Sequence, residues 1–300
     1  MDLRQLDSFV RVAEAGSFSR AAVALNLAQP TLSRQVALLE RRLGQRLLVR
    51  TGRGAAPTEA GELLLVHART MLEIARRAED ELRELHASPA GRVSVGLPPR
   101  IARAFSADLV QRFRARFPRA VLAVTEGLSL HLHEWLIAGR LDLALLFDPP
   151  PSPLLEYRTL MREPLRLVAP PGGPALPARV GLAALAELPM VLPSAPNAIR
   201  SLVDAALRPR RIGLQIVAEV GAVQTVVALV AQGVGYTVLP PSALAQSGDP
   251  AAATLRHCAI GPPAIRNTLL LATPRARPAT VLTREASKLL AALRFGDADR

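Results

Sequence analysis

The sequence predicts an α/β chain in three parts: an N-terminal all-α winged helix-turn-helix, one long linker helix, and a C-terminal α/β domain. Three observations carry this. The first segment holds apolar residues at helical spacing, in runs broken by Gly16 and Gly44. A single narrow apolar stripe follows, flanked by charges. Beyond Ser88-Pro89-Ala90-Gly91, short β-rich runs alternate with helical ones.

Leu3, Leu6, Phe9, Val10 and Ala13 place a first helix at about 3–15. Gly16 stops it, and Ser17 is the N-cap of a second helix running through Leu25. After a turn at Asn26-Leu27-Ala28, Gln29-Pro30 opens a third helix that ends at Leu43-Gly44. Pro30 suits a first turn, where its missing N–H costs nothing. At about 100° per residue, Leu32, Val36, Leu39 and Leu43 share one face, and Arg34 stands near the opposite one. An exposed arginine near the start of the second helix of a helix-turn-helix is placed to meet base edges. Arg46, Arg50 and Arg53, with Gly52 and Gly54, suggest two short strands with a basic tip over a phosphate backbone.

The next helix is expected from Thr58, its cap, to Ala87. Leu64, Ala68, Met71, Ala75, Ala78, Leu82 and Leu85 step by threes and fours, which predicts a two-stranded seam between chains. In the C-terminal part, strands are expected at 92–97, 120–125, 141–147, 165–169, 190–192, 212–217, 236–239 and 267–272. Helices are expected near 101–116, 130–138, 199–206, 223–231 and 280–293. This alternation predicts a largely parallel sheet.

Of the 300 residues, 50% are hydrophobic, enough for more than one core, and the formal net charge is +12, which favours polyanionic partners. All basic residues but Lys288 are arginine, the residue suited to phosphate and guanine. Cys258 is alone, so no internal disulfide can form. No long apolar run spans a membrane. Met1-Asp2-Leu3-Arg4-Gln5 lacks the basic head and apolar core of a leader, so a cytoplasmic chain is expected. Enzyme chemistry finds little support. His131 and His133 fall on different helix faces, a poor metal pair. Gly52-Arg53-Gly54 lacks the rest of a nucleotide-binding fingerprint, and no nucleophile elbow occurs. No metal and no cofactor is expected. A solute-binding protein would fit the C-terminal half but not the helix-turn-helix.

The motifs Leu3-Arg4-Gln5-Leu6, Gly16-Ser17-Phe18-Ser19-Arg20-Ala21-Ala22, Gln29-Pro30-Thr31-Leu32-Ser33-Arg34-Gln35-Val36, Leu47-Leu48-Val49-Arg50 and Pro57-Thr58-Glu59-Ala60-Gly61 resemble the LysR-type transcriptional regulators. Gly233-Val234-Gly235-Tyr236 and Leu239-Pro240 extend the resemblance over nearly the whole chain. Segments around Gly91–Pro99 and Glu126–Ser129 look like the branch containing nitrogen assimilation control proteins. The resemblance implies DNA contacts from Ser17, Ser19, Arg20, Gln29, Pro30, Thr31, Ser33, Arg34, Arg50, Thr51 and Arg53. It implies two α/β lobes of periplasmic-binding-protein type and a homodimer or homotetramer on promoter DNA, with RNA polymerase as a partner of an activator. The expected domains are 1–58 (DNA binding), 59–90 (linker and dimerisation) and 91–300 (regulatory). Lobe I is placed at about 91–163 and 266–300, and lobe II at about 164–265.

An effector cleft is expected beyond the carboxyl ends of the strands. From the first lobe it takes Pro98, Pro99, Arg100, Ile101, Gly127, Leu128, Ser129, Phe147 and Asp148. The second lobe adds segment 193–197, with Ser194 and Asn197, and turn 221–224, with Val223 and Gln224. Where relatives often offer hydroxyl residues at a helix start, this chain has Pro98-Pro99-Arg100. Prolines remove backbone donors. Arg100 either restores positive charge to the cleft, in which case a small anionic metabolite is the expected ligand, or simply occupies it, and an effector-independent regulator of the same fold is the alternative.

Overall fold

The structure is a computed structural model that describes residues 2–51, 54–84, 89–247, 252 and 254–295, and at 50, 51, 77 and 80–84 the backbone alone. The chain divides into two compact units, Met1–Ser88 and Pro89–Arg300.

In the first unit, α1 (Leu3–Ala15), α2 (Phe18–Ala24) and α3 (Gln29–Leu43) precede a hairpin of β1 (Leu48–Thr51) and β2 (Gly54–Pro57), then α4 (Glu59–Glu84). Asp2 caps α1 through the Arg4 amide, and Gly16 ends it at φ 61°. The Ser17 side chain accepts from the Arg20 amide to start α2. Leu6, Phe9, Val12, Leu32, Val36 and Leu39 form the core. Leu43, the last residue of α3, departs from the expected stripe: it is 39% exposed. The Glu40 carboxylate accepts from the Leu47 and Leu48 amides, at 2.8 and 3.2 Å, and so fixes the entry to the hairpin. The exit is tied by Thr58, whose hydroxyl donates to Arg46 O at 2.7 Å and accepts from the Gly61 amide at 3.0 Å. Gly54 sits at φ 140°, and a Cβ there would lie 2.1 Å from Gly16 O, so only glycine lets the hairpin dock on the α1–α2 turn.

The dimer seam expected on α4 needs correction. Ala68 is fully buried and Leu65 nearly so, with Leu64, Met71 and Leu72 packed against the same core. This face is used up inside the chain, where α4 lies along α1 and Arg69 pairs with Glu14 at 2.9 Å. Ala75 is half-buried and Ala78 exposed. The Leu82 side chain and Leu85 lie outside the described residues. The apolar stripe that α4 leaves open is a different one: Leu63, Val66 and Ile74, at 68%, 40% and 41% exposure.

The second unit begins with β3 (Gly91–Leu97), α5 (Pro99–Arg116), β4 (Ala120–Glu126), α6 (Ser129–Ile137), β5 (Leu143–Phe147) and β6 (Leu155–Pro164). Then come β7 (Arg166–Ala169), β8 (Arg179–Val180), β9 (Pro189–Pro193), α7 (Ala198–Leu207), β10 (Gln215–Val220), α8 (Val223–Ala231), β11 (Thr237–Leu239), α9 (Pro241–Ala245) and β12 (Arg256–Ile260). The last two are β13 (Arg266–Pro274) and α10 (Val281–Ala291). One lobe is built on a five-stranded sheet ordered β4-β3-β5-β13-β6, the other on a four-stranded sheet ordered β11-β7-β12-β8 with a parallel β9/β10 pair beside it. Each has its own apolar core. The chain passes between the lobes at the ends of β6 and β13, where the Leu165 amide bonds to Ile265 O at 2.8 Å. The sheets are mixed rather than largely parallel: β3 runs parallel to β4 and β5, but β13 runs antiparallel to both β5 and β6. Antiparallel pairing follows from the crossing, since β13 returns the chain to the first sheet. β6 and β12 were not expected from the sequence.

Candidate functional site

α3 presents Gln29, Pro30, Thr31 and Arg34 to solvent and half-buries Ser33. Its N-cap, Ala28, supplies no side-chain acceptor; Pro30 has no N–H to offer, and the Thr31 amide donates to Ala28 O at 3.0 Å. The Ser19 hydroxyl donates to Gln29 Oε1 at 3.1 Å, which holds the α2 side of the turn against the start of α3. Ser19 and Arg20 are exposed, and Ser17 is half-buried by its capping role. Arg50 pairs with Ala55 across the hairpin, and Thr51 with Gly54; of these two only the backbone is described. Arg53 lies outside the described residues.

In the second unit a cavity of about 140 Å³ opens between the two lobes. It sits at the carboxyl ends of β3, β4, β5, β9 and β10. The first lobe gives it Pro98, Pro99, Arg100, Leu128, Ser129 and Phe147, and the second Asn197, Ala198, Ile199 and the turn from Gly221 to Gln224. Asn267, at the start of β13, completes the lining. The starts of four helices, α5, α6, α7 and α8, contribute residues to the lining. α5 starts on a proline and has no N–H to offer at that position. Asn197 caps α7 through the Ile199 amide at 2.9 Å, and the Ser129 hydroxyl accepts from the Phe147 amide at 2.8 Å.

Several expected cleft residues are elsewhere. Ile101 is 1% exposed in the core of its lobe. Gly127 packs against Leu132 and Trp135. Asp148 turns its carboxylate to the Thr268 amide at 3.0 Å, and burial pushes its pKa up, with the Thr268 hydrogen bonds pulling it down. Ser194 does not line the cavity; its amide bonds to Val220 O. Ala198, Ile199 and Asn267 were missed. The first two follow directly on a segment that the strand-end rule selects. Asn267 had one usable signal, an amide at the head of an apolar strand.

Arg100 is the main correction. The charge expected to be free for a ligand is already matched. Its guanidinium is 8% exposed and donates to Glu163 Oε1, at 3.3 Å from each of two nitrogens. It also donates to the Ser242 hydroxyl on α9 and lies 4.7 Å from the Phe147 ring centroid. Ser242 in turn donates to Glu163. Burial pushes the Arg100 pKa down, and Glu163 pulls it back up. The cluster joins α5 of one lobe to α9 of the other, and Arg103 adds a bond to Gln246 O at 2.9 Å. The anion argument built on Arg100 therefore loses its support.

The DNA-binding family described as bacterial regulatory helix-turn-helix protein, lysR family, matches residues 3–62, and the LysR substrate binding domain matches residues 86–294. The chain belongs to the LysR family of transcriptional regulators. It is 38% identical over 244 residues to the nitrogen assimilation regulatory protein nac of Klebsiella aerogenes, covering 81% of this chain and 79% of that protein. The nac protein of Escherichia coli is 37% identical over the same shares. Among solved structures, a full-length OxyR variant from Pseudomonas aeruginosa matches with a TM-score of 0.73 at 24% identity, over 97% of this chain and 93% of that one. CbnR complexed with its target DNA matches with a TM-score of 0.61 at 24% identity, over 95% and 100%. A LysR-family regulator binds DNA and is not an enzyme. No metal-ligand cluster occurs among the described residues, and none of their helices is long and apolar enough to cross a membrane.

Proposed function

We propose that this regulator binds promoter DNA in the cytoplasm as a dimer of dimers and answers to a small molecule held between its lobes. Base edges are met by the start of α3, with Arg34 as the reading residue, and the hairpin lies over phosphates. Domain roles follow the three segments set out above. The cavity carries the effector reading: it is lined from both lobes, so a ligand there distinguishes their closed from their open arrangement. The pairing of chains is assigned to the open stripe Leu63, Val66 and Ile74 rather than to the buried one. A gel-shift and DNA-bending assay on the region upstream of its own gene, with and without cell metabolite extract, tests this. Specific binding whose bend changes with extract supports it, and an unchanged bend removes the effector.

The Arg100–Glu163–Ser242 cluster favours a second reading. Its own side chains bond one lobe to the other. In that case the regulator is effector-independent and its cellular concentration is the signal.

A further inference from the structure

Among the side chains that line the cavity between the lobes, Asn267 is both buried and without a hydrogen-bond partner among the described residues. Asn267 is 1% exposed, and among the described residues neither its Oδ1 nor its Nδ2 has a hydrogen-bond partner. Buried amides are almost always paired, because leaving donor and acceptor dry is costly. Asn267 lines the cavity and stands directly across from Glu163 in the β13/β6 register. It is therefore held rigidly on the paired strands that join the lobes.

The rest of the lining decides what can pair with it. Pro98, Leu128, Phe147, Ile199 and Val223 are apolar. The one charged side chain, Arg100, is balanced by Glu163. An anion entering here would be desolvated with no free cation to meet it. The helix starts in the lining do favour an acceptor, but a carbonyl oxygen serves them as well as a carboxylate does. Asn267 separates the two: Nδ2 asks for an acceptor and Oδ1 asks for a donor. A carboxylate has no donor, and its lone pairs would face Oδ1.

We propose that this cavity selects a small neutral molecule carrying a carboxamide or lactam edge, whose C=O accepts from Asn267 Nδ2 while its N–H donates to Oδ1. The inference rests on the reading of the cleft as an effector site. Its volume, about 140 Å³, accommodates a body on the scale of benzene or slightly more. The apolar walls favour a short branched or cyclic hydrocarbon body.

Matched probes test it on the full chain at pH 7: isobutyramide, 2-pyrrolidinone and isobutyrate, followed by calorimetry and thermal shift. The two amides are expected to bind at least about tenfold more tightly than the acid. Asn267→Leu is expected to keep or raise the melting temperature without ligand, since it removes two unpaired polar atoms, and to lose amide binding by about tenfold or more. The amide-to-acid ratio in the unaltered chain needs no variant and stands even where Asn267→Leu folds poorly. Isobutyrate binding as tightly as isobutyramide overturns the amide inference and leaves the effector cleft standing. Amide binding that is unchanged in Asn267→Leu also overturns it. Binding by none of the three counts against the inference and the effector cleft together.

Discussion

The Arg100 guanidinium lies 3.3 Å from Oε1 of Glu163, a contact between residues 63 positions apart that is almost wholly removed from water. Such a pair is costly to break on one side. Ser242 takes a further guanidinium hydrogen bond, and the Phe147 ring lies against its face. The cluster is at once a brace between lobes and the reason that the cleft is neutral.

Arg100→Met should therefore destabilise the chain by about 3–5 kcal/mol, because it leaves the Glu163 carboxylate buried without a cation. Adding Glu163→Gln should recover much of that loss, since a neutral amide can still meet Ser242. Urea unfolding of the two single variants and the double variant gives the coupling. Additive losses would mean that the two side chains do not act as a pair. If the brace also replaces an effector, the double variant should bend promoter DNA differently from the parent.

DNA recognition divides by position. Arg34 is exposed on α3, and a bidentate arginine–guanine contact is worth about 1–3 kcal/mol. Arg34→Ala is expected to weaken operator binding by about ten- to a hundredfold while leaving binding to random DNA nearly unchanged. Arg50→Ala on the hairpin should weaken both alike and reduce the salt slope by about one. Equal losses for Arg34→Ala on both DNAs would reassign it to a phosphate.

The helices of this protein were legible because their signals are local. Gly16, Ser17, Pro30 and Gly44 mark ends that the structure keeps. Strands β6 and β12 were not, because their pairing is remote. β6 is an edge strand with exposed Glu156 and Arg158, so it lacks a continuous apolar face. The loops of the cleft could be placed from strand ends alone. What could not be placed was the state of Arg100, which depends on Ser242, 142 residues away, nor the isolation of Asn267, which depends on its whole surroundings. The stripe on α4 was ambiguous in principle, since a core-facing stripe and a partner-facing stripe have the same period.

That ambiguity can be resolved by substitution. Leu63→Glu with Ile74→Glu alters only the open face of α4. Circular dichroism should stay native, while sedimentation should show the proposed dimer of dimers giving way to a smaller species. Ala68→Glu should instead unfold the first unit, at a cost of about 3–5 kcal/mol, by burying a lone charge. A Leu63→Glu/Ile74→Glu variant that sediments like the parent would remove this face from the interface.

Acid sensitivity should come from two histidines. His133 is 6% exposed on α6, and its Nε2 lies 3.1 Å from the Tyr157 hydroxyl. That hydroxyl donates to Pro150 O at 3.2 Å. The phenol proton being used there, the imidazole is the donor to Tyr157. Burial pushes the His133 pKa below its ordinary value, with Glu134 and the Pro150 hydrogen bond opposing. His257 is pushed down too, by burial and then by the Arg166 charge. A lowered folded-state pKa means that the unfolded chain binds the proton first. The stability involved is fully present above the unfolded value, about 6.5, and is lost as the pH falls through the lower folded values. His133→Gln keeps a donor for Tyr157 but cannot be charged. It should flatten the fall in melting temperature below about pH 6.5, and His133→Gln with His257→Gln should flatten it further. A slope unchanged in the double variant would place the acid sensitivity elsewhere in the chain.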